Sequence, residues 1–152
     1  MRAVVQRVID ASVTVNGVVK GSIKSGLLVY VGVTHEDTEK DALWLAEKTA
    51  HLRIFGDSNG VMNLSLFDIL ANEPEAGVLS VSQFTLLADA KKGRRPSYSN
   101  AASPEKAKQL YEYFNAKICE YGLICESGEF QAHMKVTYTN DGPVTILLDS
   151  KE

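Results

Sequence analysis

Three short stretches of this sequence bring together side chains with chemistry to do. The first, Ser82-Gln83-Phe84-Thr85-Leu86, ends an apolar run and carries two hydroxyls and an amide within four positions. Two readings of it stand. It is a strand end whose polar side chains face solvent, or a strand end whose hydroxyl and backbone N–H groups face a pocket and bind a carbonyl oxygen as it gains charge. The second, Lys91-Lys92-Gly93-Arg94-Arg95-Pro96-Ser97-Tyr98, places four cations within residues 91–96. It is a solvated loop or a phosphate-binding one, with Gly93 keeping it pliable. Because it follows the first stretch so closely, a polyanion held there lies near whatever the first stretch binds. The third, Asn140-Asp141-Gly142-Pro143, separates two alternating runs and suits a tight hairpin turn. Pro143 fixes φ and removes a donor. It either opens an edge strand or lets the Gly142–Pro143 bond be cis.

Other catalytic constellations have nothing to build on. There is no glycine-rich phosphate loop, no H-E-x-x-H and no G-x-S-x-G. His35, His51 and His133 are scattered and read as surface or strand-face residues. No carboxylate pair stands at a predicted strand end, so metal, serine-triad and glycosidase chemistry lack their residues. Cys119 and Cys125 are too few for a disulfide scaffold or an all-cysteine zinc site, and read as reduced, partly buried thiols of a cytosolic protein. The net charge of −3 sets up no global field for nucleic acid, so any RNA contact must be local. The opening MRAVVQRVIDASVTV is charged at Arg2, Arg7 and Asp10 and lacks the apolar core of a secretory signal. No run approaches the roughly 18 apolar residues of a membrane span.

The elements that must position these stretches are legible in outline. With roughly 100–200 residues per domain, residues 1–152 form one domain. Residues 3–8 and 12–15 read as strand, Asn16-Gly17 as a hairpin turn, and residues 18–23 as the return strand. Residues 27–33 are almost wholly apolar and predict a central strand buried on both faces. A helix is expected over 38–51, capped by Asp37, with Ala42, Leu43, Ala46 and Ala50 on its inner face. Residues 52–55 and 62–66 read as extended, and 56–60 as a loop. Residues 77–86 predict a strand. A second helix begins with Ser103 as N-cap and Pro104 first, buries Ala107, Leu110, Tyr111, Phe114 and Ile118, and stops at Gly122. Residues 130–139 and 144–148 predict the last strands. The sum is an α+β fold: a mostly antiparallel, strongly curved, barrel-like sheet with two main helices packed outside.

Ser82-Gln83-Phe84-Thr85-Leu86 together with Asn140-Asp141-Gly142-Pro143-Val144-Thr145 resembles the D-aminoacyl-tRNA deacylase family. The likeness extends through MRAVVQRVIDASVTVNGVVKGSIKSGLLVYVGV, MNLSLFDI, KKGRRPSY and the final strand pair. The resemblance implies hydrolysis of the ester joining a D-amino acid, or glycine, to the terminal adenosine of tRNA. It implies a cytoplasmic homodimer with a barrel-like fold that needs no metal and no cofactor, with D-aminoacyl-tRNA as partner and neither membrane nor DNA. Under it, Gln83, Phe84 and Thr85 form the catalytic group, the backbone amides of Phe84 and Thr85 steadying the ester and Gln83 holding the pocket by hydrogen bonds. Arg7, Ser82, Met134, Asn140, Gly142 and Pro143 bind substrate, and Lys91, Lys92, Arg94 and Arg95 bind tRNA phosphates. The Gly142–Pro143 peptide is implied to be cis, braced by Arg7, and to reach the partner's site, where its carbonyls accept the α-ammonium and fill the space an L side chain needs. Thr85 lacks a motif base to activate it, so water assisted by the substrate's 2′-hydroxyl is the expected nucleophile. Met134 lies near the adenosine or is an ordinary core methionine. One departure is Phe130-Gln131-Ala132, where the family commonly has Phe-Gly-Ala. Competing readings are a non-catalytic tRNA-binding module, a relative that removes L-amino acids, and a structural protein.

Overall fold

A computed structural model describes all residues, 1–152. The sheet is built on one long strand. β1 (Arg2–Val15) runs antiparallel to β2 (Val18–Ile23) through the Asn16-Gly17 turn, where both residues have positive φ. Its first half also pairs with β3 (Gly26–Gly32), and its other edge pairs with β8 (Lys135–Asp149) along almost its whole length. β6 (Gly77–Ser82) and β7 (Ile124–Ser127) extend the sheet in parallel fashion, giving the order β2-β1-β3-β6-β7. The outer strands β2 and β7 then come together: a Cβ on Gly21 would lie 2.7 Å from the Ser127 carbonyl, so only glycine lets the sheet close this tightly. The result is a nearly closed barrel, mostly antiparallel, as expected.

Three helices lie against it, one more than predicted. α1 (Glu39–His51) and α3 (Pro104–Glu120) are the main pair, and α2 (Leu66–Ile69) is a single turn capped by Ser65 and Asp68. Two apolar clusters result. One joins Ala3, Val5, Val29 and Val78 to Leu45 of α1 and Phe114 of α3, between sheet and helices. The other, with Val8, Val13, Leu28, Leu79 and Val81, fills the barrel interior. β3 therefore serves both, which is why its sequence is apolar without alternation. β1 changes clusters between Val5 and Val8, at the register shifts beside Arg7, so it reads as two segments in sequence while remaining one strand.

Several local expectations are corrected. Thr38, not Asp37, caps α1: Asp41 Oδ2 accepts the Thr38 amide at 2.8 Å and its hydroxyl at 2.9 Å. Asp37 is buried and accepts instead from the Met1 α-ammonium and the Thr34 amide, each at 2.6 Å. Leu45 takes the inner position assigned to Leu43, which is exposed. Of the strand expected over 52–55 only Phe55 pairs, in β4 (Phe55–Gly56) against β5 (Met62–Leu64). β6 stops at Ser82 and the chain turns into a 3-10 helix over Phe84–Leu87. Residues 130–134 are not strand, because Gln131 takes a left-handed φ of 64° and breaks the alternation. α3 is as predicted, with the Ser103 hydroxyl accepting from the Lys106 amide, Pro104 first, and Gly122 at φ 79° past its end.

The largest correction concerns Asn140 to Pro143. The flanking runs do not pair with each other. Both belong to β8 and both pair with β1: Val8 faces Asn140 and Gln6 faces Thr145, so Arg7 alone opposes residues 141–144. The segment is a bulge out of a continuous strand. Two alternating runs are compatible with a hairpin or with one long shared neighbour, and the length of β1 decides for the second.

Candidate functional site

Ser82, Gln83 and Phe84 line a cavity of about 600 Å³. β6 delivers them: Ser82 is its last paired residue, opposite Val31, and the Gln83 amide still donates to the Val31 carbonyl at 2.8 Å. The 3-10 turn then begins. Its first donor is the Leu86 amide, to the Gln83 carbonyl at 3.3 Å, so the Phe84 and Thr85 amides stand ahead of the turn's own bonds. The Gln83 side-chain amide donates to the Thr85 hydroxyl. The wall opposite comes from α3 and from residues 130–136. Met134 lines the cavity, as do Tyr111, Phe130, Gln131 and His133. Thr85 does not.

Beneath the cavity, α3 is tied to β6 by buried polar groups. The Tyr111 hydroxyl donates to the Ser80 carbonyl at 2.9 Å, and the Ser80 hydroxyl donates to Asn115 Oδ1 at 2.6 Å. Burial raises the Tyr111 phenol, and hydrogen bonds with Ser80 and Asn115 offset only part of this, so it stays a neutral donor. Cys125 reaches the same Asn115 oxygen. Burial first, then the neighbouring Cys119 thiol, pushes the Cys125 thiol up to about 12. Such a thiol supplies no nucleophile near neutral pH. In the sequence Tyr111 reads as helix core, Phe130 as strand and His133 as a surface or strand-face residue, none of them as part of a site. They meet here because α3 and the loop before β8 converge on the end of β6.

A second group assembles around the bulge. Gly142–Pro143 is cis, and both residues are exposed. The Asn140 side-chain amide donates to the Arg7 and Val144 carbonyls, each at 3.0 Å, standing in for the interrupted ladder. Arg7 Nη1 donates to the Ile54 carbonyl at 2.5 Å. Its Nε sits 2.8 Å from Asp141 Oδ2, a charge contact off the N–H axis rather than an aligned hydrogen bond. None of Arg7, Asn140, Gly142 and Pro143 lines the cavity.

The four cations form a third group beside the first. Asp89 and Ser97 exchange two backbone hydrogen bonds of 2.8 Å, closing residues 89–97 into a tongue. Lys91, Lys92, Arg94 and Arg95 are exposed on it, and no carboxylate pairs with any of them. The sequence-predicted residues thus fall into three places: Ser82, Gln83, Phe84 and Met134 at the cavity with Thr85 just outside, the cations next to it, and the bulge apart.

The chain is 60% identical to the D-aminoacyl-tRNA deacylase of Thermosipho melanesiensis, over all of this chain and 99% of that one. It is 59% identical to the same-named protein of Koribacter versatilis, again over all of this chain and 99% of the relative. Among solved structures, one titled "c-Myc DNA Unwinding Element Binding Protein" superposes with a TM-score of 0.87 at 38% identity, covering 98% of both chains. Another, titled as a structural analysis of a probable eukaryotic D-amino acid tRNA deacylase, superposes at 0.78 with 18% identity over 97% of both, a likeness of fold. The family model of D-Tyr-tRNA(Tyr) deacylase matches residues 4–149. By that match and by relatives above half identity, the chain belongs to the D-Tyr-tRNA(Tyr) deacylase family.

Proposed function

We propose that this protein hydrolyses the ester of D-aminoacyl-tRNA, releasing the D-amino acid and a tRNA with a free terminal ribose hydroxyl. The observation that carries this reading is the junction of β6 and the 3-10 turn. There the Phe84 and Thr85 amides stand uncommitted at the rim of an apolar cavity. The terminal adenosine occupies the cavity against Met134, and the two amides receive the carbonyl oxygen as it gains charge. Water adds to the carbonyl carbon, oriented by the substrate's 2′-hydroxyl. The ester C–O bond breaks, and the 3′-oxygen leaves with a proton. Gln83 holds the turn in place, and Lys91, Lys92, Arg94 and Arg95 receive the acceptor phosphates.

Selection between D and L falls to a second copy of the chain. In this reading the partner's Gly142 and Pro143 carbonyls accept the α-ammonium and occupy the space of an L side chain, while glycine, lacking one, is also cleaved. Three observations support a homodimer: the far edge of β8 has no neighbouring strand, Leu147 on that strand is 74% exposed, and the bulge does not line its own chain's cavity. The site of action is the cytoplasm, where aminoacyl-tRNA resides. No helix is long and apolar enough to cross a membrane.

The unpaired cations of the tongue favour one second reading, a module that binds tRNA without cleaving it. Deacylation of D-Tyr-tRNA and L-Tyr-tRNA, side by side with EDTA present, separates the two. Rapid loss of D-Tyr with L-Tyr spared is the expected result. Binding without cleavage would replace the enzyme by the module, and cleavage of both would remove the selecting role from Gly142–Pro143.

A further inference from the structure

Phe84 and Tyr98 form an exposed aromatic pair that the reaction described above leaves unused. The two residues are 57% and 41% exposed, with ring centroids 5.1 Å apart and planes at 67°. An edge-to-face pair engages the face of only one ring, so the pairing itself leaves the flat faces of the other uncovered. Exposed rings are common singly, but here two are held together at a defined place. Phe84 lines the cavity mouth, and Tyr98 follows the bridge that closes the cationic tongue. Backbone pairing of Asp89 with Ser97 therefore couples the position of the cations to that of the rings.

This combination of an aromatic face, phosphate-seeking cations and an adjoining cavity has one natural ligand class, an unpaired nucleotide strand. Bases stack on aromatic rings without regard to sequence, while Lys and Arg follow the backbone charge. We infer that Phe84 and Tyr98 are the stacking platform for the nucleobase immediately 5′ of the terminal adenosine, whose phosphate the tongue holds. The inference rests on the cavity taking that adenosine. Stacking of the preceding base would fix the direction in which the strand enters and bring the ester to the Phe84 and Thr85 amides. It would also let the enzyme grip every tRNA through a feature all of them share.

Two measurements test it. The first needs no hydrolysis: an uncharged acceptor-stem minihelix carrying 2-aminopurine at the penultimate position is titrated with the protein. Quenching on binding, relieved in Tyr98→Ala and retained in Tyr98→Phe, is expected. Binding with no quenching, or no binding at all, overturns the platform. The second compares D-tyrosyl esters of adenosine and of cytidylyl-adenosine. Wild type is expected to have the lower KM for the dinucleotide, and Tyr98→Ala to raise that KM about tenfold while leaving the adenosine ester unchanged. Equal damage to both esters would mean the pair only supports the turn, and overturns the platform. If wild type cleaves neither ester while still quenching the probe, the deacylase reading fails and the platform survives as part of a tRNA-binding site.

Discussion

Arg7 and Asp141 meet at 2.8 Å, Nε to Oδ2, at the step where β8 leaves β1. The next residue is Gly142, at φ +121°, a conformation closed to L side chains. A Cβ there would come 2.9 Å from the Val144 amide nitrogen and 3.2 Å from Arg7 Nη2, so both backbone and guanidinium block it. Gly142→Ala must push the bulge outward. The expected loss is more than about 1 kcal/mol of stability. A fall of tenfold or more in kcat/KM on D-aminoacyl-tRNA should accompany it, with narrowed discrimination against L. Thermal melts and paired deacylation assays check this. A lower Tm with activity and selectivity intact would remove the bulge from the site.

Gln131 sits in a backbone conformation that suits glycine better than glutamine. Its φ of 64° lies in the left-handed region, which costs an L residue roughly 1–2 kcal/mol. Glycine there relieves that cost but adds about 0.4–1 kcal/mol of chain entropy in the unfolded state. Gln131→Gly is therefore expected to leave stability unchanged or raise it by up to about 1.6 kcal/mol. Because Gln131 also lines the cavity, KM should change more than kcat. A clear loss of stability would mean that the glutamine side chain compensates for its own backbone.

What the sequence made legible follows from range. The Asn16-Gly17 turn, the doubly buried β3 and the capped α3 were readable because their signals lie within a few residues. Two failures share a cause. Phe84 to Leu87 alternates like strand but coils, and Asn140 to Pro143 looks like a hairpin but is a bulge, because the pairing partner alone decides whether such a stretch stays in a ladder. The motifs pointed to Ser82, Gln83 and Phe84, whereas Tyr111 read as helix core, Phe130 as strand and His133 as a surface or strand-face residue; tertiary packing brings them to the cavity. The separation of the bulge from its own cavity was equally beyond local reading.

Acid stability should reflect the C-terminal segment. Burial works to raise the Asp41 carboxyl, but hydrogen bonds from Lys151, Ser150 and Thr38 outweigh it and hold the group well below its usual range. Asp149 is lowered in the same way: burial opposes, while the Lys151 amide and Arg2 prevail. Both folded values lie below the unfolded one, so in the acid window the unfolded chain binds more protons and stability rises with pH. The contribution is complete above roughly pH 3.9 and is lost as pH falls below it. Lys151 has the opposite sign: its hydrogen bond to Asp41 raises it, so its contribution is full below about 10.4 and is lost at more alkaline pH. The melting temperature is expected to be flat near neutrality and to fall on acidification. The gap between wild type and Asp41→Asn should shrink as pH drops below about 4. A gap independent of pH would place the role of Asp41 in packing alone.

Thr85 decides between two routes to the same product. Its hydroxyl accepts a hydrogen bond from the Gln83 side-chain amide, a group with no capacity to take the hydroxyl proton. No histidine or carboxylate hydrogen-bonds to it. Without a base, a threonine hydroxyl is a weak nucleophile, and it lies outside the cavity wall. Thr85→Ala is therefore expected to keep activity within about tenfold of wild type, through loss of the Gln83 contact alone. Single-turnover assays should show no burst of released tRNA ahead of free amino acid. A loss of ~10³-fold or more with folding intact, or a trapped acyl-enzyme, would instead make Thr85 the nucleophile and leave the 2′-hydroxyl without its proposed role.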